Sequence, residues 1–328
     1  MVVHLVSGDP AARALAGAGI GPTVIPWCDA LHEGPVRCIA DDALARLRAG
    51  FFAAAGWGSE TQALAFLAER DRRLRDALAA PVEIVLWFAP GLDDQLRRLQ
   101  VLSRAARAAG RAATLSEARL DRQACLLDAA ALHAAFAGRR AVDASLIGRA
   151  VEGWLAFAGD DPRRLDVLLQ GDDAGATDLD AAMRRWREEF PALQGGLSRS
   201  ERQVLEALER GVFRLRDVHA AACRHAEDAG FLSDRAFASL LCRLSTGPQA
   251  LLSHPDQRPV TMPDLPTGSS VFWNDALLIT RAGRERLGGT GDWMAQAPSR
   301  CMGGVVLQGE SGWRWDAVCN RMRFMPAR

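Results

Sequence analysis

The 328-residue chain contains no lysine and no tyrosine. All 40 of its cationic side chains are Arg, and they balance 40 Asp plus Glu, so the formal net charge is zero. Without lysine there is no Schiff-base chemistry and no P-loop lysine, which excludes pyridoxal enzymes, Walker-type NTPases and ordinary kinases. A codon bias toward Arg and Ala accounts for both absences, and the exclusions hold whatever the cause. Zero net charge removes any global pull toward nucleic acid or an anionic membrane. There is no Cys-x-x-Cys pair among the seven cysteines, and their odd number suits reduced thiols in the cytoplasm better than a disulfide framework. No apolar run approaches a membrane span. The segment from Met1 to Asp9 lacks the basic and long apolar regions of a signal peptide. The expectation is a cytoplasmic protein with no membrane partner. A Gly-x-Ser-x-Gly elbow is also missing.

What is present suits packed cores. Apolar residues make up 49% and charged residues 24%, and the length fits about two domains. The pattern predicts an α/β fold: a small parallel sheet with flanking helices over 1–118, a helical middle region over 119–195, and a winged-helix-like C-terminal domain over 196–328. In the first region, apolar runs at Val2–Val6, Thr23–Pro26, Val82–Phe88 and Ala112–Leu115 read as strands. Helices are expected from Pro10 to Ala18, around Asp41–Ala55 and Glu60–Ala79, and from Leu92 to Ala109. Asp9 reads as the N-cap of the first helix, and Ser59 with Gln62 as a capping box. Alternating strands and helices build a parallel sheet whose ligands bind beyond the carboxyl ends of its strands. The Gly17–Gly21 cluster follows a helix and precedes a strand, the reverse of a dinucleotide fingerprint, and reads as a helix C-cap.

Three loops should then face one crevice: Ser7–Asp9, Trp27–Pro35, and Ala89–Gln95 with Asp93, Asp94 and Gln95 at a helix start. The second packs Asp29, His32 and Glu33 together. Ser7, Gly8, Asp9, Trp27, Asp29, His32, Glu33 and Gln95 are the candidate ligand-binding residues. The candidate catalytic groups are His4, Asp9, Asp29 and Glu33, whose carboxylates with a nearby histidine suit acid–base work or a hard cation. Two have a plainer reading, His4 as a satisfied core histidine and Asp9 as a helix cap, whereas Asp29 and Glu33 are less easily dismissed. Cys28, His32 and Cys38 lack zinc-ligand spacing, and His219, Cys223 and Cys242 lack a fourth ligand in register. No metal and no cofactor is assigned.

The motifs His4-x-x-x-Gly8-Asp9, Trp27-x-Asp29-x-Leu31-x-Glu33-Gly34-Pro35 and Leu86-Trp87-Phe88 with Leu92-x-x-Gln95-Leu96 resemble an uncharacterised bacterial family, domain of unknown function eighteen-thirty-five. The resemblance continues through Gly153-Trp154-x-x-Phe157, Asp161-Pro162, Leu197-Ser198-Arg199-Ser200-Glu201-Arg202-Gln203, Gly303-Gly304-Val305 and Trp313-x-Trp315-Asp316, and so covers most of the chain. It implies little about activity. Relatives carry Glu-His-Asp after the Trp-Phe of the third strand, where this chain has Ala89-Pro90-Gly91. If that run does chemistry in the family, this member has lost or altered it.

In the middle region helices are expected at Asp143–Ala158, after Asp161-Pro162, and at Asp178–Phe190. Gly171–Gly175 reads as a turn, since it lacks the spaced oxygen ligands of an EF-hand. Ser198–Glu201 is a capping box opening a helix to Arg210. Helices at Arg214–Asp228 and Asp234–Leu244, then strands at Leu251-Leu252, Val271–Trp273 and Leu277–Thr280, follow the order of a winged helix. Residues 196–328 hold 17 Arg against 14 Asp plus Glu, a modest excess for a phosphate-binding footprint. Trp313 and Trp315 share one strand face, a placement that fits base stacking or burial against a neighbour. Two functions stay open. One is a binding protein that holds a small polar ligand, nucleotide-like ligands included, at the carboxyl edge of the sheet, with the C-terminal module contacting protein or nucleic acid. The other is a hydrolase or transferase using His4, Asp9, Asp29 and Glu33, with a divalent metal as an option. A homo-oligomer is compatible with both.

Overall fold

The computed structural model describes residues 1–170, 177–225, 230–264 and 269–326. The chain first forms β1 (Val2–Val6), α1 (Gly8–Gly17), β2 (Val24–Pro26), β3 (Gly34–Pro35), α2 (Asp41–Ala54), α3 (Glu60–Ala79), β4 (Glu83–Trp87), α4 (Leu92–Arg107), β5 (Thr114–Glu117), α5 (Ala129–Ala137) and β6 (Arg140–Ala141). Four strands run parallel in the order β2-β1-β4-β5, and β6 adds an antiparallel fifth beside β5. Side chains alternate across this sheet. Val3, Leu5, Ile84 and Leu86 belong to one core with α4, while Val6, Val85 and Trp87 belong to another beneath α1 and α5. β4 is apolar on both faces because both are covered. The connections leaving β1 and β4 diverge to opposite sides of the sheet, so the ends of these two strands are its topological switch point.

The middle helices are α6 (Ala144–Ala158), α7 (Arg163–Leu168) and α8 (Asp178–Arg187). Trp154, Phe157 and Trp186 join the core on the α4 side. A separate core spans Leu197 to Trp293. It holds α9 (Arg199–Glu209), α10 (Leu215–His219), α11 (Asp234–Leu244), β7 (Leu252–Ser253), α12 (Ser269–Asn274), β8 (Leu278–Ile279) and α13 (Arg281–Leu287). The chain then returns. β9 (Arg300–Gly303) pairs in parallel with β3 and antiparallel with β10 (Val305–Leu307). β11 (Gly312–Asp316) and β12 (Arg321–Met325) form a terminal hairpin. Met302, Leu307, Trp315 and Met322 pack into the first core, so the described residues from Arg300 onward belong with the sheet rather than with the helices preceding them.

Three local expectations are corrected. The N-cap of α1 is Ser7, and Asp9 lies inside the first turn, where its charge faces the helix N-terminus without a capping bond. Ser59 precedes α3, but its side chain makes no cap bond. Val271–Trp273 is helical, not extended. There Phe272 enters the second core and Trp273 stacks on Phe237 with ring centroids 6.0 Å apart, and that packing outweighs the β preference of a three-residue run. The capping box at Ser198 and Glu201 is complete in both directions. Gly171–Gly175 lies outside the described residues, as does the stretch 226–228 of the helix expected to reach Asp228. No helix among the described residues is long and apolar enough to cross a membrane.

Candidate functional site

The loop from Trp27 to Pro35 is anchored from below by arginines on α2, α3 and α4. Asp29 is buried and receives Arg48 at 2.6 Å, while the same guanidinium donates to the carbonyls of Glu33 at 2.5 Å and Ala30 at 2.9 Å. Arg70 lies 4.0 Å over the Trp27 ring, donates to the Cys28 carbonyl at 3.0 Å and pairs with Asp71 at 2.9 Å. Trp27 Nε1 donates to Gln100 at 2.9 Å. Helical spacing places these partners on faces that meet beneath the loop. The aspartate that sequence offers as a catalyst is therefore one half of a buried ion pair.

At the switch point itself, side chains fill the crevice. Ser7 Oγ hydrogen-bonds the Asp94 carboxylate and receives Arg97 Nη1 at 2.6 Å. Arg97 also pairs with Asp93 at 2.5 Å and with Asp94 at 3.1 Å, and donates to the Asp29 carbonyl at 3.0 Å. Burial raises the Asp94 pKa despite Arg97 and the Ser7 hydrogen bond. For Asp93 burial acts the same way, but Arg97 and His32 outweigh it and hold the carboxyl below its ordinary range. Burial likewise pushes the Cys28 thiol up.

The four candidate catalytic groups do not converge. His4 points to the opposite face of the sheet, where its Nδ1 accepts from Trp87 Nε1 at 3.1 Å and its ring packs on Phe136. Desolvation lowers its pKa. Asp9 is exposed. Glu33 turns toward α11 and lies 3.5 Å from Arg243. His32 is buried, with Nδ1 3.3 Å from Asp93. Gly8 lies beside Cys28 Sγ. Gln95 is buried and donates to the Ala89 carbonyl at 2.8 Å. No group of three or more His, Cys, Asp or Glu among the described residues could hold a metal ion.

An open cavity of about 650 Å³ lies one strand further along, at the carboxyl ends of β4 and β5. Phe88, Gln95 and Arg98 wall it from the β4 side, Glu117 to Leu120 from the end of β5, and Arg140 and Arg149 from β6 and α6. Its volume is ordinary for a small-molecule site. Four arginines reach it. Arg98 is held by a two-pronged pair with Glu117, at 2.5 and 3.1 Å, and Arg149 by Asp180. The side chains of Arg119 and Arg140 have no ion pair or hydrogen bond among the described residues. Of the lining acids, Glu117 is engaged by Arg98 and Asp143 caps α6 through Leu146 N, which leaves Asp178. Sequence reading missed all four arginines. Only Gln95 was singled out, and only the position of Arg119 just past a strand end could have marked it.

No protein-family model matches the chain, and no curated protein does.

Proposed function

We propose that this chain binds a small anionic ligand, carrying a phosphate or carboxylate group, in the cavity at the carboxyl edge of β4 and β5. The observation that supports this reading is the pair Arg119 and Arg140, two uncommitted guanidiniums beside two ion-paired ones in a pocket of ligand size. A guanidinium offers a planar fork of donors that matches phosphate or carboxylate oxygens two at a time. Phe88, Leu120, Leu146 and Leu179 supply apolar wall for the body of the ligand, so nucleotide-like molecules are natural candidates. We keep the motif resemblance to domain of unknown function eighteen-thirty-five as the family reading.

The helices from 197 onward, read as a winged-helix-like module, serve contact within the chain. The would-be recognition helix α11 packs its apolar face into the second core and is held along its other side: Trp57 Nε1 donates to Ser239 at 3.1 Å, Arg235 hydrogen-bonds the Trp57 carbonyl, and Arg243 meets Glu33. A helix so covered is not available to a DNA groove. The reading as a hydrolase or transferase gains no support, because its residues lie on different faces and in ion pairs. Thermal denaturation with and without millimolar adenosine monophosphate tests the binding reading. A rise in Tm that disappears in Arg119→Ala/Arg140→Ala is expected, and a rise retained by that double variant would contradict it.

A further inference from the structure

A second recess lies between the two cores. A groove of about 640 Å³ is walled by Phe51 of α2, Val260 and Met262, with Arg243 of α11 and Arg300 of β9 at its sides. A narrower void of about 10 Å³ shares Glu33, Arg300 and Cys301 with the groove as walls and continues to His32, Trp186 and Phe231. That void has room for a single oxygen atom's worth of ligand.

His32 closes the void, and it is 5% exposed. Its Nδ1 lies 3.3 Å from Asp93, which is not part of the void's wall. A carboxylate can only accept, so Nδ1 carries a proton and donates it to Asp93, and Nε2 is left as the other polar atom of the ring. That Nε2 is buried and has no hydrogen-bond partner. Arg97 pairs with the same Asp93 at 2.5 Å and fixes the carboxylate behind the ring. On the other side of Glu33, Arg243 Nε is also buried without a partner. One orphan ring nitrogen thus lines the void, and one orphan donor belongs to Arg243 on the wall of the apolar groove. Buried polar groups in folded proteins are matched, and unmatched ones ask for an occupant.

We infer that the groove between the cores is a second ligand site, built for a small hydroxylated aromatic acid whose hydroxyl hydrogen-bonds His32 Nε2, whose ring lies along Phe51 and Met262, and whose carboxylate meets Arg243. The site is independent of the arginine-lined cavity, and neither requires the other. The chemistry is recognition: His32 is a binding group oriented by Asp93.

The test uses the full chain and two probes, 4-hydroxyphenylacetate and phenylacetate, with calorimetric titration and ¹⁵N spectra of the histidine rings. In wild type the hydroxylated probe should bind about tenfold tighter than its analogue, the discrimination of one buried hydrogen bond. It should also shift the His32 Nε2 resonance. His32→Phe should abolish the difference between the probes, and Arg243→Ala should weaken both. Should either variant fail to fold, the wild-type probe comparison and the Nε2 shift decide alone. Equal affinities, no binding of either probe, or an Nε2 resonance unmoved at saturation because a water fills the void, would each overturn the inference.

Discussion

Asp29 illustrates how a residue can look catalytic in a sequence and be structural in the fold. Its carboxylate and the Arg48 guanidinium are both about 1% exposed, and Arg70 lies 4.0 Å away. Removing one partner of such a pair leaves a buried charge without compensation, which costs about 3–5 kcal/mol. Asp29→Ala should therefore lower unfolding stability by that amount in urea, whereas a loss under about 1 kcal/mol would show that the pair is peripheral. Glu189 carries a second residue-scale consequence. Burial would raise its pKa, but Arg185, the Ser200 hydroxyl and Arg300 hold it down at about 2 against an ordinary 4.5. A carboxylate depressed in the folded state contributes stability that is complete above its unfolded pKa and is lost as pH falls from about 4.5 through about 2. Acid denaturation should show a loss on the order of 3 kcal/mol across that window, and Glu189→Gln should flatten it. The partners of these acids were not legible in the sequence. Arg48 lies 19 residues from Asp29 and Arg70 lies 41 away, and nothing in their spacing marks which of 40 arginines would turn inward.

Among the elements, the long amphipathic ones were legible. α3 and α11 carry the bounds that periodicity predicts, and the apolar run of β4 announces a strand covered on both faces. Short elements were not. Gly34-Pro35 reads as a turn, yet it forms β3 and pairs with β9 some 265 residues later, a partnership that no local pattern encodes. The same distance hid the return of β9 to β12 onto the first core. Gly34 holds φ at +75°, and a Cβ there would meet the Phe51 ring at 2.6 Å. Gly34→Ala should cost about 1–3 kcal/mol through backbone strain alone, with more from the displaced Phe51. Hydrogen exchange at β9 is the matching readout, since pairing with β3 should loosen there first. Unchanged protection at β9 would show that the two strands are not coupled.

For the whole molecule, a mostly parallel sheet with a filled switch point and an arginine-lined cavity one strand away makes the division of labour concrete. The three loops that the sequence placed at the sheet edge do meet there, but their charges lock one another. The cavity is built instead from the β5 end, β6 and α6, where Arg119 and Arg140 have no side-chain partner among the described residues. Helix α11 lies with its apolar face in the second core and its other side against Trp57 and Glu33. An electrophoretic assay with nonspecific duplex at low salt should accordingly show no retention, and a salt-sensitive shift would contradict that arrangement. Calorimetric titration of adenosine monophosphate into wild type and into Arg119→Ala/Arg140→Ala tests the cavity directly. Saturable binding at one site per chain, weakened at least about tenfold in the double variant at unchanged Tm, is the predicted result; equal affinity in both proteins, or no binding of this or any simple phosphate or carboxylate by wild type, would contradict it.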